Sequence, residues 1–299
     1  MPELPDIEAY RIALETRFAG APLERVRVAS PFVVRTFDPP ISDAAGRILR
    51  EVRRLGKRLI LALDGDRFLV IHLMIAGRLK LEEAGKKLPA KVGLAAFDFP
   101  AATVILTEAS TQKRASIHLV VGEEALAAHD PGGIEPLEAS PEAFRAALVA
   151  ERHTVKRSLT DPRILAGIGN AYSDEILHRA RLSPFRLTTA MDDDEHARLY
   201  QATRSLLAEW RDRLVAEAKG AFPGKVTAFR EEFAVHGKHG QPCPVCGAPV
   251  QRIRYADNET DYCAKCQTGG RLLADRSLSR LLHEDFPRTL EELEALKRR

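Results

Sequence analysis

The sequence predicts an α+β fold: an antiparallel β-sandwich with a leading helix, then a helical domain, then a β-ribbon. Three observations carry that prediction. Residues from about Leu23 to Val121 break into short β-rich runs, among them RLILAL (58–63), FLVIHL (68–73) and TVILTE (103–108), separated by Gly, Asp and Pro signals. From Pro141 to about Lys219 the apolar period becomes helical. All four cysteines then fall between Cys243 and Cys266, in a segment that alternates and turns.

Taken in order, a helix is expected from Pro5. Proline suits a first turn, Asp6 and Glu8 sit at its positive end, and Ile7, Tyr10, Leu14 and Phe18 share one face before Gly20. The strands follow. Between Gly122 and Ser140 the composition shifts to Ala, Gly, Pro and acids, which reads as a linker. Helical segments come next in PEAFRAALVA, RSLTDPRILA, NAYSDEILHRA and a long run from Asp193 to Lys219. The resulting division is a β-sandwich over 1–125, a helical domain over 126–235, a four-cysteine finger over 236–268 and a charged tail over 269–299 that carries the amphipathic LEELEALKRR. No internal repeat is visible.

The 299 residues suffice for two domains, and 45% hydrophobic with 29% charged residues argues against disorder and fibrous classes. Lysine and arginine number 45 against 42 acids, so the net charge of +3 is too small to imply a polyanionic partner. The N-terminus, MPELPDIEAY, has no apolar signal-peptide core, and the apolar run from Phe68 to Ala76 is broken by His72 and too short for a span of ~20 residues. A cytoplasmic protein without membrane contact is expected. Four clustered cysteines are no disulfide framework for a chain this long and fit a reducing compartment.

Cys243-x2-Cys246-x16-Cys263-x2-Cys266 has the spacing of a four-thiolate zinc site, each CxxC on a tight turn. Four thiolates leave no open position for water, so the Zn2+ is expected to be structural; iron accepts the same donor set. The hairpin between the pairs carries Arg252, Arg254 and Tyr255 for nucleic acid, against Asp257, Glu259 and Asp261, and zinc ribbons also dock proteins.

Three further features bear on chemistry. Arg47, Arg50, Arg53, Arg54, Lys57 and Arg58 crowd a twelve-residue window opposed by Glu51, which suits either phosphate contacts or a solvated strand face. In Ile164-Leu165-Ala166-Gly167-Ile168-Gly169-Asn170 two glycines allow close backbone approach, Asn170 is a good N-cap, and Lys156 lies just upstream. Pro2 follows the initiator Met, and a small second residue normally permits removal of that Met. The exposed secondary amine, about a tenth unprotonated at pH 7 for a pKa near 8, can attack an electrophilic sugar carbon beside Glu3, a candidate proton donor.

Together and in this order, these features resemble the bacterial formamidopyrimidine-DNA glycosylase and endonuclease VIII family. MPELPDIE resembles its MPELPEVE start, RRLGKRL its basic turn with Lys57, and HLMIAGRL its HLGMSGRL strand. KRSLTDPRILAGIGNAYSDEIL resembles its helix-two-turn-helix, and HGKHGQPCPVC with YCAKCQ its zinc finger, so the likeness runs from residue 2 to about 267. The resemblance implies a base-excision DNA glycosylase with lyase activity at abasic sites. Pro2 would be the nucleophile at C1′, Glu3 the proton donor and Lys57 part of the catalytic set. His72, Arg114, Lys156 and Asn170 would hold the phosphate backbone around a nucleotide flipped from the stack. It also implies double-stranded DNA bearing a damaged base or abasic site as partner, a monomer, and a nucleoid location.

The chain departs from the family pattern at several places. Asp6 replaces a Glu. Ile75, Lys113 and Ala115 align with the Met, Arg and Phe that fill the hole left by the flipped base, and Asn258 stands for the finger arginine. These departures leave a second reading, a non-catalytic protein that binds damaged or branched DNA; the acidic finger hairpin and the extra tail leave a third, a zinc-ribbon adaptor for protein partners.

Overall fold

The computed structural model describes residues 1–224, 226–227, 229–255, 258–274 and 287–297. Asp257, with the side chains of Tyr255 and Asn258, lies outside the described residues. The chain divides into two compact units, Met1–Gly133 with Ala208–Ala228, and Ile134–Leu207 with Phe229–Arg299.

The first unit opens with α1 (Leu4–Phe18). Nine strands follow: β1 (Pro22–Leu23), β2 (Arg25–Val28), β3 (Arg47–Leu55), β4 (Arg58–Leu63), β5 (Arg67–His72), β6 (Gly77–Glu82), β7 (Gly93–Asp98), β8 (Thr103–Glu108) and β9 (Ser116–Val121). They form two antiparallel sheets, ordered β1-β3-β4-β5-β9 and β2-β7-β8-β6. Ile7, Tyr10, Leu14 and Phe18 share one buried cluster with Leu59, Leu61, Leu69 and Ile71 of one sheet and Phe97, Val104 and Leu106 of the other. Phe18 stacks on Phe99 with centroids 4.1 Å apart. Each such side chain contributes about 1.5–3 kcal/mol by leaving water, which fixes α1 and the chain entrance on the sheets.

The segment 122–140 is more than a linker. It contains α2 (Glu123–Ala127), whose Leu126 covers Ile60, Ala62, Phe68 and Val70 on the other face of the five-stranded sheet. Strands β4 and β5 are therefore apolar on both faces, which explains why they read as continuous hydrophobic runs rather than as an alternation.

The second unit begins with α3 (Pro141–Val149) and α4 (Val155–Thr160). The Ser140 hydroxyl accepts the Ala143 N–H at 3.2 Å and the Thr154 hydroxyl that of Arg157 at 3.4 Å, each satisfying a free amide of its helix start. After α5 (Asn170–Ala180) and α6 (Asp193–Glu217) comes the ribbon of β10 (Gln251–Tyr255) and β11 (Asn258–Tyr262), then α7 (Ala264–Thr268) and α8 (Leu290–Lys297). The tail folds back: Leu290 and Leu293 of α8 pack on Ile253, Tyr262, Ala264 and Leu272, and Leu272 N–H donates to the Arg288 carbonyl at 2.8 Å. Among the described residues no helix is long and apolar enough to cross a membrane.

Candidate active site and DNA-contacting groups

At the chain start, Pro2, Glu3 and Asp6 are all buried. Glu3 is the N-cap of α1, and Asp6 Oδ2 accepts its backbone N–H at 3.0 Å, one arm of a capping box. The aspartate that replaces a longer carboxylate thus still reaches this amide. Tyr10 braces the helix from below, its hydroxyl donating to the Leu79 carbonyl and accepting the Leu79 N–H, both at 3.3 Å. The terminal ammonium, here on Met1, is held below the ordinary α-amino range chiefly by burial. The charge of Glu3 opposes that shift, and those of Arg78 and Lys57 reinforce it.

Lys57 lies in the β3–β4 turn after Gly56, which has φ +57°. Burial lowers the Lys57 pKa and the charge of Glu3 resists the shift. Sequence reading passed over Arg78, although it lies in HLMIAGRL. Its guanidinium donates to the Val226 carbonyl at 2.6 Å and to the Gly77 carbonyl at 2.6 Å.

Four other arginines of the basic window are paired within the protein. Arg54 Nε meets Glu8 Oε1 at 2.7 Å with the two side chains only 8% and 12% exposed. Arg53 pairs with Glu51 and Glu123 at 2.6 and 2.7 Å, Arg47 with Asp43 at 3.2 Å, and Arg50 approaches Asp64 at 4.0 Å. For these four arginines ion pairing on the sandwich, not a free phosphate-binding face, is what the fold provides.

His72 ends β5 opposite Arg58. Burial first, then the charges of Arg58, Lys57 and His118, push its pKa down to about 4, so it is neutral at pH 7 and offers a ring N–H rather than a charge. The following turn projects Ile75, 57% exposed, from a tight loop closed by Gly77 N–H to Leu73 O at 2.9 Å. A Cβ on Gly77 would meet Leu73 O at 2.2 Å, so this turn requires glycine. After β8 the buried Glu108 carboxylate accepts the backbone N–H groups of Arg114 at 2.9 Å and Ala115 at 3.0 Å. Arg114 is exposed, whereas Ala115 is buried and cannot enter a base stack.

In the second unit Gly169, not Asn170, is the N-cap of α5, with Asn170 its first helical residue. The Asn170 amide donates to the Glu259 carbonyl of the finger hairpin at 2.7 Å. Lys156 Nζ donates to the Asn170 carbonyl at 2.9 Å and to Asp174 Oδ1 at 2.5 Å. Asp174 Oδ2 faces His236 Nδ1 at 2.8 Å, and burial and this carboxylate act in opposite senses to leave the His236 pKa raised. Asp261 accepts Gly237 N–H at 2.7 Å and pairs with Arg252 at 2.9 Å, and Arg252 also meets Glu259 at 3.0 Å. Arg252, one candidate for nucleic-acid contact, is thus committed to the hairpin's own acids. Asp174, His236 and Asp261 form a buried constellation with oxygen and nitrogen atoms close enough to share a cation. The Lys156 and Arg252 cations already fill that role.

The four cysteine sulfurs lie within 4.8 Å of one another, with Cys243–Cys266 at 3.9 Å and Cys246–Cys263 at 3.4 Å. Zn–S bonds of about 2.3 Å give tetrahedral edges of about 3.8 Å, so the donor set fits a structural zinc ion. His178 of α5 is buried with Nε2 3.2 Å from Cys243 Sγ, a second helix contact to the metal site that spacing did not disclose.

Comparisons with known proteins agree with this arrangement. Family models match in chain order: the formamidopyrimidine-DNA glycosylase N-terminal domain at 1–130, its H2TH domain at 133–211, and the zinc finger found in FPG and IleRS at 240–269. The formamidopyrimidine-DNA glycosylase of Heliobacterium modesticaldum is 36% identical over 281 residues, covering 89% of this chain and 100% of its own. A Lactococcus lactis formamidopyrimidine-DNA glycosylase, solved bound non-covalently to DNA containing an abasic site, aligns with a TM-score of 0.77 at 25% identity over 89% of this chain and 99% of that one. The same enzyme with DNA containing an oxidised pyrimidine aligns with a TM-score of 0.79 at 26% identity, over 89% and 100%. The sandwich, helix-two-turn-helix and zinc finger thus define a DNA-repair enzyme, a base-excision glycosylase that also acts as a lyase. The chain belongs to the formamidopyrimidine-DNA glycosylase family.

Proposed function

We propose that this chain excises an oxidised or ring-opened base from duplex DNA with Pro2 as nucleophile, Glu3 as proton donor and Lys57 as the flanking cation. The observation that carries the reading is the half-buried amino terminus at the head of α1, its pKa lowered by burial and flanked by Glu3, Lys57 and Arg78. Removal of Met1 gives Pro2 a secondary amine in this setting, with its lone pair available near neutral pH. That lone pair bonds to C1′ while the damaged base departs with the glycosidic electrons, and the N–H proton of the resulting ammonium is lost to the base anion through solvent, leaving a tertiary amine on C1′. A proton from Glu3 to the ring oxygen then opens the C1′–O4′ bond and leaves an iminium between proline and sugar. The iminium acidifies C2′; loss of a C2′ proton expels the 3′ phosphate and cuts the strand. Lys57, with no hydrogen-bond partner among the described residues, keeps its N–H groups for DNA.

His72 and Arg114 in the first unit, and Lys156 and Asn170 in the second, take backbone phosphates of a strand whose damaged nucleotide is flipped out. The test is borohydride trapping on duplexes carrying an abasic site, 8-oxoguanine, a formamidopyrimidine or an oxidised pyrimidine. A covalent adduct that requires Pro2 and is absent on undamaged duplex is expected. Protein shown by mass spectrometry to lack Met1 that still fails to trap on abasic DNA would overturn the reading. Tight binding to such DNA with Pro2→Gly behaving as the parent would favour a non-catalytic binder.

A further inference from the structure

The Lys156 ammonium has three N–H donors, and two are spent on Asp174 Oδ1 and the Asn170 carbonyl. One remains for a ligand. Beside Asp174, however, the lysine charge is cancelled at close range, and a neutral pair attracts a phosphate only weakly. The second oxygen of Asp174 is held by His236 at 2.8 Å, with the carboxylate fully buried and the ring 5% exposed. The charge on that ring therefore decides the sum: neutral imidazole leaves Lys156–Asp174 at zero, whereas imidazolium makes the three groups net positive.

The charges around His236 leave it this role. From α4 comes Lys156, from α5 Asp174 and from β11 Asp261. Asp261 is occupied by Arg252 and by Gly237 N–H. Glu175, the next residue on α5, spends its carboxylate on the N–H groups of Ala234, Val235 and His236 at 2.8, 2.9 and 2.9 Å, and burial raises its pKa. Asp174 is thus the acid that His236 can neutralise, and Lys156 is the cation that gains from it.

Resting on the reading of Lys156 as a phosphate ligand, we infer that Asp174 and His236 are positioning residues for DNA binding: Asp174 aims Lys156, and His236, by carrying a proton, frees the lysine charge for a backbone phosphate. Phosphate engagement neutralises Lys156, removes a repulsion on the imidazolium, and so draws a proton onto His236 from solvent. Binding through the second unit is tighter when His236 is protonated and weakens as pH rises through its titration.

The experiment measures Kd for a duplex with a tetrahydrofuran abasic analogue from about pH 6 to about pH 9, together with proton uptake by calorimetry in buffers of differing ionisation heat. His236→Gln keeps an N–H for Asp174 but cannot take a charge. Relative to it, the parent should bind roughly fivefold tighter at the acid end, converge at the alkaline end, and take up more protons. His72 titrates in both proteins and cancels in that comparison. Lys156→Ala should weaken binding and lower the salt slope by about one. If Lys156→Ala binds as the parent does, the phosphate reading of Lys156 fails. If it weakens binding while His236→Gln keeps the parent's pH step and proton uptake, the inference fails and the lysine reading stands. Should His236→Gln not fold, NMR titration of the parent decides: the His236 ring must titrate at higher pH with the duplex bound, and an unchanged midpoint overturns the proposal.

Discussion

The two units arrange their charged groups in opposite ways. At the start of the sandwich unit, around the groups proposed for the chemistry, burial lowers the pKa of the amino terminus and Lys57 makes no side-chain hydrogen bond among the described residues. In the helical unit the groups expected to meet DNA are engaged before any DNA arrives, Lys156 by Asp174 and Asn170, and Asn170 by Glu259. A nucleophile must keep its lone pair available, so its surroundings withhold hydrogen bonds and lower its pKa. A phosphate ligand needs direction more than reactivity, and a network of hydrogen bonds supplies direction. On the proposed reading, the difference separates a place for chemistry from a place for grip.

The largest test of this contrast is metal removal, because a structural zinc ion contributes about 10–16 kcal/mol to the folding of small finger peptides. Chelation should abolish hydrogen-exchange protection over the ribbon strands at 251–255 and 258–262 while strands at 58–72 stay protected. Equal loss in both would mean that the sandwich depends on the finger. Next comes Glu3→Gln, expected to slow iminium trapping and strand cleavage by roughly two to four orders of magnitude with little change in DNA affinity. An affinity loss of matching size would recast Glu3 as a binding group.

A third comparison sets Arg54 against Lys57, neighbours in sequence with opposite environments. Arg54→Met leaves the Glu8 carboxylate largely buried and short of this partner, and should cost about 3 kcal/mol in denaturant unfolding. Lys57→Ala should leave stability within about 0.5 kcal/mol while lowering turnover. Reversal of the two outcomes would break the assignment. A further test concerns His72. Because its folded pKa is about 4 against 6.5 for the free side chain, the unfolded chain binds the extra proton between those values. Its contribution to stability is therefore complete above about pH 6.5 and is lost as pH falls toward 4. His72→Gln should flatten that part of the stability curve, and an unchanged curve would show that the ring is not desolvated.

Much of this was legible in the sequence where the signal is local. The face Ile7, Tyr10, Leu14, Phe18 marked α1, the β-rich runs marked the strands, and the cysteine spacing marked the finger, because period and spacing are properties of neighbouring residues. What could not be read is pairing across the chain. The partners of Arg53 and Arg54 are Glu123 and Glu8, 70 and 46 residues away, so a basic window looked like a free face when it was largely neutralised. His236 and Asp174 are 62 residues apart, and His178 and Cys243 are 65 apart; His236 opens the HGKHGQPCPVC motif, but spacing does not disclose either histidine's partner. The short helix α2 went unseen because it has one well-buried apolar anchor, Leu126, in an otherwise polar, Gly-containing stretch.

The turn that carries Ile75 is closed by a glycine with no room for even a methyl group. A tip built this way has already surrendered its conformational freedom during folding. If Ile75 is the group that enters the base stack, as its alignment implies, the turn spends little further entropy on taking shape there, so more of the contact free energy remains to part the bases.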